Sequence, residues 1–148
     1  MTVIAICGSG KHREAIYETA RLLNEAGFVV LSPPLHRIDA LCEGGPAELY
    51  ELAWKGATHA HLNRIVKADV VYIVNPDGYV GSSTTLELGY AVGLGKLVVA
   101  MMADRDELAR TVLFDVILDC TDVSDAADEL GRRLLGPFEA GPVQVGVP

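Results

Sequence analysis

Residues 70–74, Val-Val-Tyr-Ile-Val, form a short β-branched and aromatic run without polar alternation, and they lead straight into a loop rich in glycine and hydroxyl groups. A strand that is apolar on both faces must be covered on both faces, which points to the centre of a parallel sheet. Asn75, Pro76, Asp77 and Gly78 then stop the strand, because proline lacks the ladder donor and glycine tolerates positive φ. Gly81 is followed by Ser82, Ser83, Thr84 and Thr85, and Thr84 with Glu87 fits a capping box, an N-cap threonine answered by a glutamate three residues on. A helix is therefore expected to start near Thr84. The unpaired N–H groups of its first turn favour an anion beside Ser82, Ser83 and Thr84, a layout suited to a phosphorylated or sugar-bearing small molecule.

Strand and helix patterns alternate through the rest of the chain. Residues 2–7 read as a first strand, broken by Gly8-Ser9-Gly10 before a helix over about 11–26 that Gly27 ends. Residues 28–31 read as a second strand closed by Pro33-Pro34, residues 35–45 as a loop, and Pro46 opens a helix to about residue 67. After the third strand come a helix over 84–94, a fourth strand over 97–102, a short helix over 104–110, a fifth strand over 112–118 and a last helix over 124–135 with Ser124 as N-cap. Residues 1–135 thus form one domain, and the tail 136–148, with three glycines and three prolines, carries little pattern.

Strands separated by helices of this length pair in parallel through right-handed crossovers. The expected fold is α/β and doubly wound, flavodoxin- or Rossmann-like, with a five-stranded parallel sheet in the order 2-1-3-4-5 and helices on both faces. Ligands of such sheets sit beyond the carboxyl ends of the strands where the order reverses, here between the first and third strands. The loops that border this point, 8–11 and 75–85, are the two richest in glycine and hydroxyl groups.

Composition removes several function classes. At 148 residues and 50% hydrophobic, the chain is long enough for one well-buried core. A net charge of -8 without a Lys/Arg cluster argues against a nucleic-acid polymer as partner. There is no charged leader and no apolar run near the roughly 20 residues that cross a bilayer, so no membrane partner is expected and a soluble cytoplasmic protein is read. Cys7, Cys42 and Cys120 are odd in number and widely spaced, which suggests neither a disulfide framework nor a zinc knuckle, and Cys7 reads as a packing residue.

Three familiar motifs fail. Gly8-x-Gly10 begins like a dinucleotide fingerprint, but Arg13 stands at the third glycine position. Gly10-Lys11 begins to resemble a P-loop, but His12 stands where the magnesium-holding hydroxyl belongs and Ala5 where the first glycine belongs. His59 and His61 lie two apart on a predicted helix and point about 200° apart, which is wrong for two ligands of one metal. No metal and no cofactor are expected.

Three segments carry a family resemblance: Ile-Cys-Gly-Ser-Gly at 6–10, the helix ending His-Leu-Asn-Arg-Ile-Val-Lys-Ala-Asp at 61–69, and Asn-Pro-Asp-Gly-Tyr-Val-Gly-Ser-Ser-Thr-Thr-Leu-Glu-Leu-Gly-Tyr-Ala at 75–91. Together they resemble the nucleoside 2-deoxyribosyltransferase-like superfamily, which includes base-exchanging transferases and N-glycosidases of nucleoside 5′-monophosphates. The similarity covers most of residues 3–101. It implies that Glu87, in the Glu-Leu-Gly-Tyr-Ala motif, is the nucleophile that attacks C1′ of the sugar, and that subunits pair as a homodimer or larger homo-oligomer. Other members carry an aspartate eight residues before Asp69, where this chain has His61, an imidazole able to act as an acid near neutrality.

The chemistry also follows from the residues. Breaking an N-glycosidic bond develops positive charge at C1′, which a carboxylate beneath that carbon stabilises or captures. Glu87 suits that task; Asp77, at the carboxyl end of the strand, is a candidate to protonate the departing base or hold the sugar. A 5′-phosphate would be received by Ser82, Ser83 and Thr84, with Gly81 and the Gly8-Ser9-Gly10 loop beside them, and Tyr79 would stack on the base. Each has a plainer alternative: Glu87 as capping partner of Thr84, Asp77 as a turn residue, Ser82 to Thr84 as caps, His61 as a helix residue at a contact, Tyr79 as packing. The expected function is N-glycosidic cleavage of a nucleoside or nucleoside 5′-monophosphate, by hydrolysis or base exchange, against the alternative of a noncatalytic nucleotide-sensing domain that keeps the pocket.

Overall fold

The computed structural model describes residues 1–34 and 37–136. Strands β1 (Val3–Cys7), β2 (Val29–Leu31), β3 (Val70–Ile73), β4 (Leu97–Ala100) and β5 (Val116–Ile117) form one sheet in the order β2-β1-β3-β4-β5. Every pairing is parallel, with β1 beside β3 in the register Ile4↔Val70 to Cys7↔Ile73. This is the doubly wound α/β sheet expected from the alternation of patterns. The helices are α1 (Arg13–Glu25, entered through a 3-10 turn Gly10–His12), α2 (Ile38–Leu41), α3 (Ala47–Lys67), α4 (Ser82–Gly93), α5 (Leu108–Thr111) and α6 (Val123–Leu135). None of the described helices is long and apolar enough to cross a membrane.

Alternation along the strands divides the core into two layers. Ile4, Ile6, Val70, Tyr72, Val74, Val99 and Met101 pack with Ile16 and Leu23 of α1 and Ala126, Ala127 and Leu130 of α6. Ala5, Cys7, Val71, Ile73, Val98 and Ala100 face the other way, onto Ile65 of α3 and Leu88 and Ala91 of α4. Small side chains, Ala5, Cys7, Ala68, Ala91 and Ala100, make up five of the twelve buried residues of this second layer. Each larger aliphatic buried in either layer contributes about 1.5–3 kcal/mol. Gly27, at φ 94°, ends α1 in the left-handed conformation expected of a C′ glycine.

Several local expectations are corrected. Helix α4 begins at Ser82 with Gly81 as N-cap, so Thr84 is a buried residue inside the first turn and forms no capping box with Glu87. Thr85 Oγ1 instead donates back to the Gly81 carbonyl at 2.9 Å. Pro46 is the N-cap of α3 and not its first helical residue. Within the expected loop 35–45, residues 38–41 form the short helix α2; residues 35 and 36 lie outside the described residues. The expected fifth strand shrinks to two residues because α5 and the turn after it take up residues 108–114, and Asp115 then bonds to Val98 through both its N–H, at 2.9 Å from the Val98 carbonyl, and its Oδ2, which accepts the Val98 N–H at 2.7 Å. Helix α6 is capped by Asp122, which accepts from the Asp125 amide at 2.9 Å, so Ser124 lies one turn position inside. The tail expected over 136–148 lies outside the described residues from 137 onward.

Candidate active site

A cavity of about 590 Å³ opens beyond the carboxyl ends of β1 and β3, where the strand order reverses. Its walls come from the loop after β1 (Gly8, Ser9, Gly10), the middle of α3 (Trp54, Thr58, His61), the loop after β3 (Tyr79, Gly81) and the start of α4 (Ser82, Ser83, Thr84, Glu87). The two loops adjoin closely: a Cβ placed on Gly81 would stand 3.5 Å from Ser9 Oγ. Gly8 is fixed by packing, since a Cβ there would come within 3.0 Å of both the Val74 carbonyl and Ile16 Cδ1.

Glu87 lies on the turn of α4 that follows Ser83, because residues four apart share a helix face. Its side chain is only 19% exposed, and Oε1 lies 3.6 Å from His61 Nε2. His61 owes its place to the same periodicity, since with Ile65 it forms the buried stripe by which α3 meets the sheet. His61 Nε2 is also 3.4 Å from Sγ of Cys7, the last residue of β1 on the α3–α4 side. Burial, and then the neighbouring Glu87 carboxylate, push the Cys7 thiol well above its ordinary range. Thr84 Oγ1 and His61 Nδ1 are buried polar atoms with no partner among the described residues.

Ten of the expected site residues therefore line the cavity: Gly8, Ser9, Gly10, His61, Tyr79, Gly81, Ser82, Ser83, Thr84 and Glu87. Asp77 does not. Its carboxylate accepts from the Tyr79 amide at 3.0 Å and pairs with His12 at 2.9 Å and Arg105 at 3.4 Å, half exposed on the outer side of the loop. Partial desolvation works upward on this carboxyl, but the Tyr79 N–H, His12 and Arg105 together hold it below its ordinary range. Asp77 thus stands outside the cavity lining that Glu87 and His61 share. Its pairing organises Tyr79, whose ring carries Lys11 Nζ at 4.1 Å and the Arg105 guanidinium at 5.2 Å. The loop is tied down further by buried Asn75, which donates to the Met102 carbonyl at 2.8 Å and accepts from the Met102 amide at 3.1 Å.

Sequence reasoning missed other wall residues. Arg13 was legible only as a misfit in a dinucleotide fingerprint, yet at the start of α1 it lines the cavity, as does Arg37 ahead of α2. Trp54, Thr58, His61 and Leu62 fall at i, i+4, i+7 and i+8 on α3 and all line the cavity. That stripe was a readable signal.

The family described as nucleoside 2-deoxyribosyltransferase matches residues 6–134. The chain belongs to this family. Among solved structures, one described as a 2-deoxyribosyltransferase from Bacillus psychrosaccharolyticus is similar with a TM-score of 0.58 at 21% identity, covering 86% of this chain and 91% of that one. The CMP N-glycosidase BcmB of Clostridium botulinum is similar with a TM-score of 0.55 at 16% identity, covering 87% and 97%. A conserved protein from Enterococcus faecalis has a TM-score of 0.53 at 14% identity, covering 91% and 98%. At these identities the structures share the fold of this family member. No curated protein matches its sequence.

Proposed function

We propose that the cavity binds a nucleoside, and more specifically a nucleoside 5′-monophosphate, and that Glu87 cleaves its N-glycosidic bond as the nucleophile. The observation that carries this reading is the Glu87 carboxylate, largely buried at the cavity wall against His61, one turn from the hydroxyl-bearing start of α4. Family membership supports the bond class, since transferases and N-glycosidases of nucleosides both break the bond between C1′ and a base nitrogen. The relatives' descriptions as a deoxyribosyltransferase and a CMP N-glycosidase agree with it.

In this reading the phosphate rests on the first-turn amides of α4 with the Ser82 and Ser83 hydroxyls, and Arg13 and Arg37 are among the residues that line the same cavity. Four residues of helix, about 6 Å of axial rise, separate Ser83 from Glu87, comparable to the reach of a pentose phosphate. The ring of Tyr79 and the indole of Trp54 offer stacking surfaces for the base. A Glu87 oxygen forms a bond to C1′ as the C1′–N electron pair leaves with the base, which takes its proton from solvent. Water attacking C1′ then frees the carboxylate and gives hydrolysis; a second base gives transfer. His61, in contact with the nucleophile itself, orients the carboxylate.

A homodimer fits the same face. Trp54 and Leu86, on α3 and α4 at the cavity wall, are 44% and 76% exposed, a cost that burial against a second copy would offset.

Incubating the protein with ribo- and deoxyribonucleosides and their 5′-monophosphates, with and without a competing base, tests the reading by chromatography. Base release or exchange that disappears in Glu87→Ala is the expected result. Calorimetric binding without turnover across the panel overturns catalysis and leaves a nucleotide-sensing domain.

A further inference from the structure

Three chemically different donors converge from three elements of the fold. Cys7 Sγ ends β1, His61 Nε2 projects from α3, and a Glu87 oxygen projects from α4, and their donor atoms all lie within 4.8 Å of one another. The two closest pairs are 3.4 Å (Cys7–His61) and 3.6 Å (His61–Glu87). Tetrahedral zinc with a thiolate at about 2.3 Å and nitrogen and oxygen ligands at about 2.0–2.1 Å spaces its donors about 3.3–3.6 Å apart. The observed spacing meets that requirement for two of the three edges, and the third, Cys7 to Glu87, lies within 4.8 Å.

We propose that Cys7, His61 and Glu87 form a zinc(II) site whose occupancy silences Glu87. The silencing rests on the reading of Glu87 as nucleophile; the binding does not. A thiolate, a neutral imidazole and a carboxylate cancel the charge of the ion, which suits a site where Cys7 and His61 are 0% and 4% exposed. On binding, the Cys7 Sγ–H bond breaks, a Zn–Sγ bond forms and the proton leaves to solvent. His61 and Glu87 line the cavity, the side from which a fourth ligand would reach the ion. The hard cations magnesium and calcium, which take oxygen ligands, do not suit the set. With one oxygen bound to zinc, the Glu87 carboxylate shares its negative charge with the cation and is a weaker, less free nucleophile toward C1′, so the ion acts as an inhibitor. This arrangement does not involve the His59–His61 pair, whose spacing on one helix excludes a shared metal.

Cobalt(II) titration of the full chain tests the site without reference to turnover. The expected result is a thiolate-to-cobalt charge-transfer band saturating at one equivalent, displaced by zinc and absent from Cys7→Ser. Circular dichroism checks that Cys7→Ser folds, and His61→Gln is the second variant, in which cobalt affinity falls by at least about tenfold. No band in the native protein, or a band unchanged in both variants, overturns the site. Inhibition of base release by zinc, reversed by a chelator and weakened at least about tenfold by Cys7→Ser, supports the silencing. Cobalt and zinc binding with undiminished turnover overturns it. A protein that shows the cobalt band but cleaves no substrate, even when metal-free, refutes the glycosidase reading and the silencing with it, while the metal site stands.

Discussion

His61 on α3 and Glu87 on α4 meet across 3.6 Å at the cavity wall, and His61 is the more deeply buried of the two. Their contact follows from two helices, α3 and α4, packing side by side on one face of the sheet. In the proposed reading, His61 positions the carboxylate that attacks C1′.

His61→Leu is expected to lower kcat by about 100-fold, the scale of a misplacement near 1 Å, with KM nearly unchanged. His61→Gln, which keeps a hydrogen-bonding amide near the same place, should recover part of the loss. Steady-state kinetics of the two variants decide the matter: equal losses in both, or a loss expressed in KM alone, would remove the positioning role.

Asp77 organises the outer side of the loop after β3 through His12, Arg105 and the Tyr79 amide. For a half-exposed carboxylate such pairs are worth about 0–1 kcal/mol. Asp77→Asn should therefore leave kcat/KM within about fivefold of the native value. A hundredfold fall in kcat with intact folding would restore Asp77 to the chemistry.

Gly78 holds φ at 79°, and a Cβ there would stand 2.9 Å from the Ala103 carbonyl. A left-handed conformation costs an L-residue about 1–2 kcal/mol before any clash. Gly78→Ala should lower the melting temperature by several degrees, whereas Gly10→Ala, whose added methyl meets nothing within 4 Å, should change it far less. Thermal unfolding of both variants provides the comparison.

Burial beside Glu87 raises the Cys7 thiol above its ordinary value. A group whose folded pKa is raised gives stability that is complete below its unfolded pKa, about 8.5 for a thiol, and is lost as pH climbs toward the folded value. Native stability should thus decline from about pH 8.5 upward more steeply than that of Cys7→Ser. Urea unfolding in metal-free buffer between neutral and alkaline pH measures the two slopes; parallel slopes would contradict the assignment.

Much of the architecture was legible because it depends on local regularities. The apolar runs at β1, β3 and β4, separated by helices, dictated a parallel sheet, and the glycine- and hydroxyl-rich loops marked its ligand end. Ser82, Ser83 and Glu87 could be placed together because they share one helix and one periodicity. Local rules failed where two motifs competed: Thr84 looked like a cap, but Gly81 caps α4 and Thr84 is drawn into the core. Asp122 likewise set the start of α6 with a side-chain hydrogen bond that no pattern of hydrophobicity encodes.

The sequence by itself determined the parallel α/β sheet and the side of it on which a ligand would bind, because side-chain period and crossover handedness are properties of neighbouring residues. Only the tertiary structure decided which distant groups meet. Cys7 read as packing, and His61 and Asp77 as candidate acids, until the pleat of β1 turned Cys7 toward α3 and α4 beside His61 and the loop after β3 paired Asp77 with His12 and Arg105. Such meetings depend on the packing angles and separations of whole elements, which the sequence fixes only through the complete set of contacts in the core.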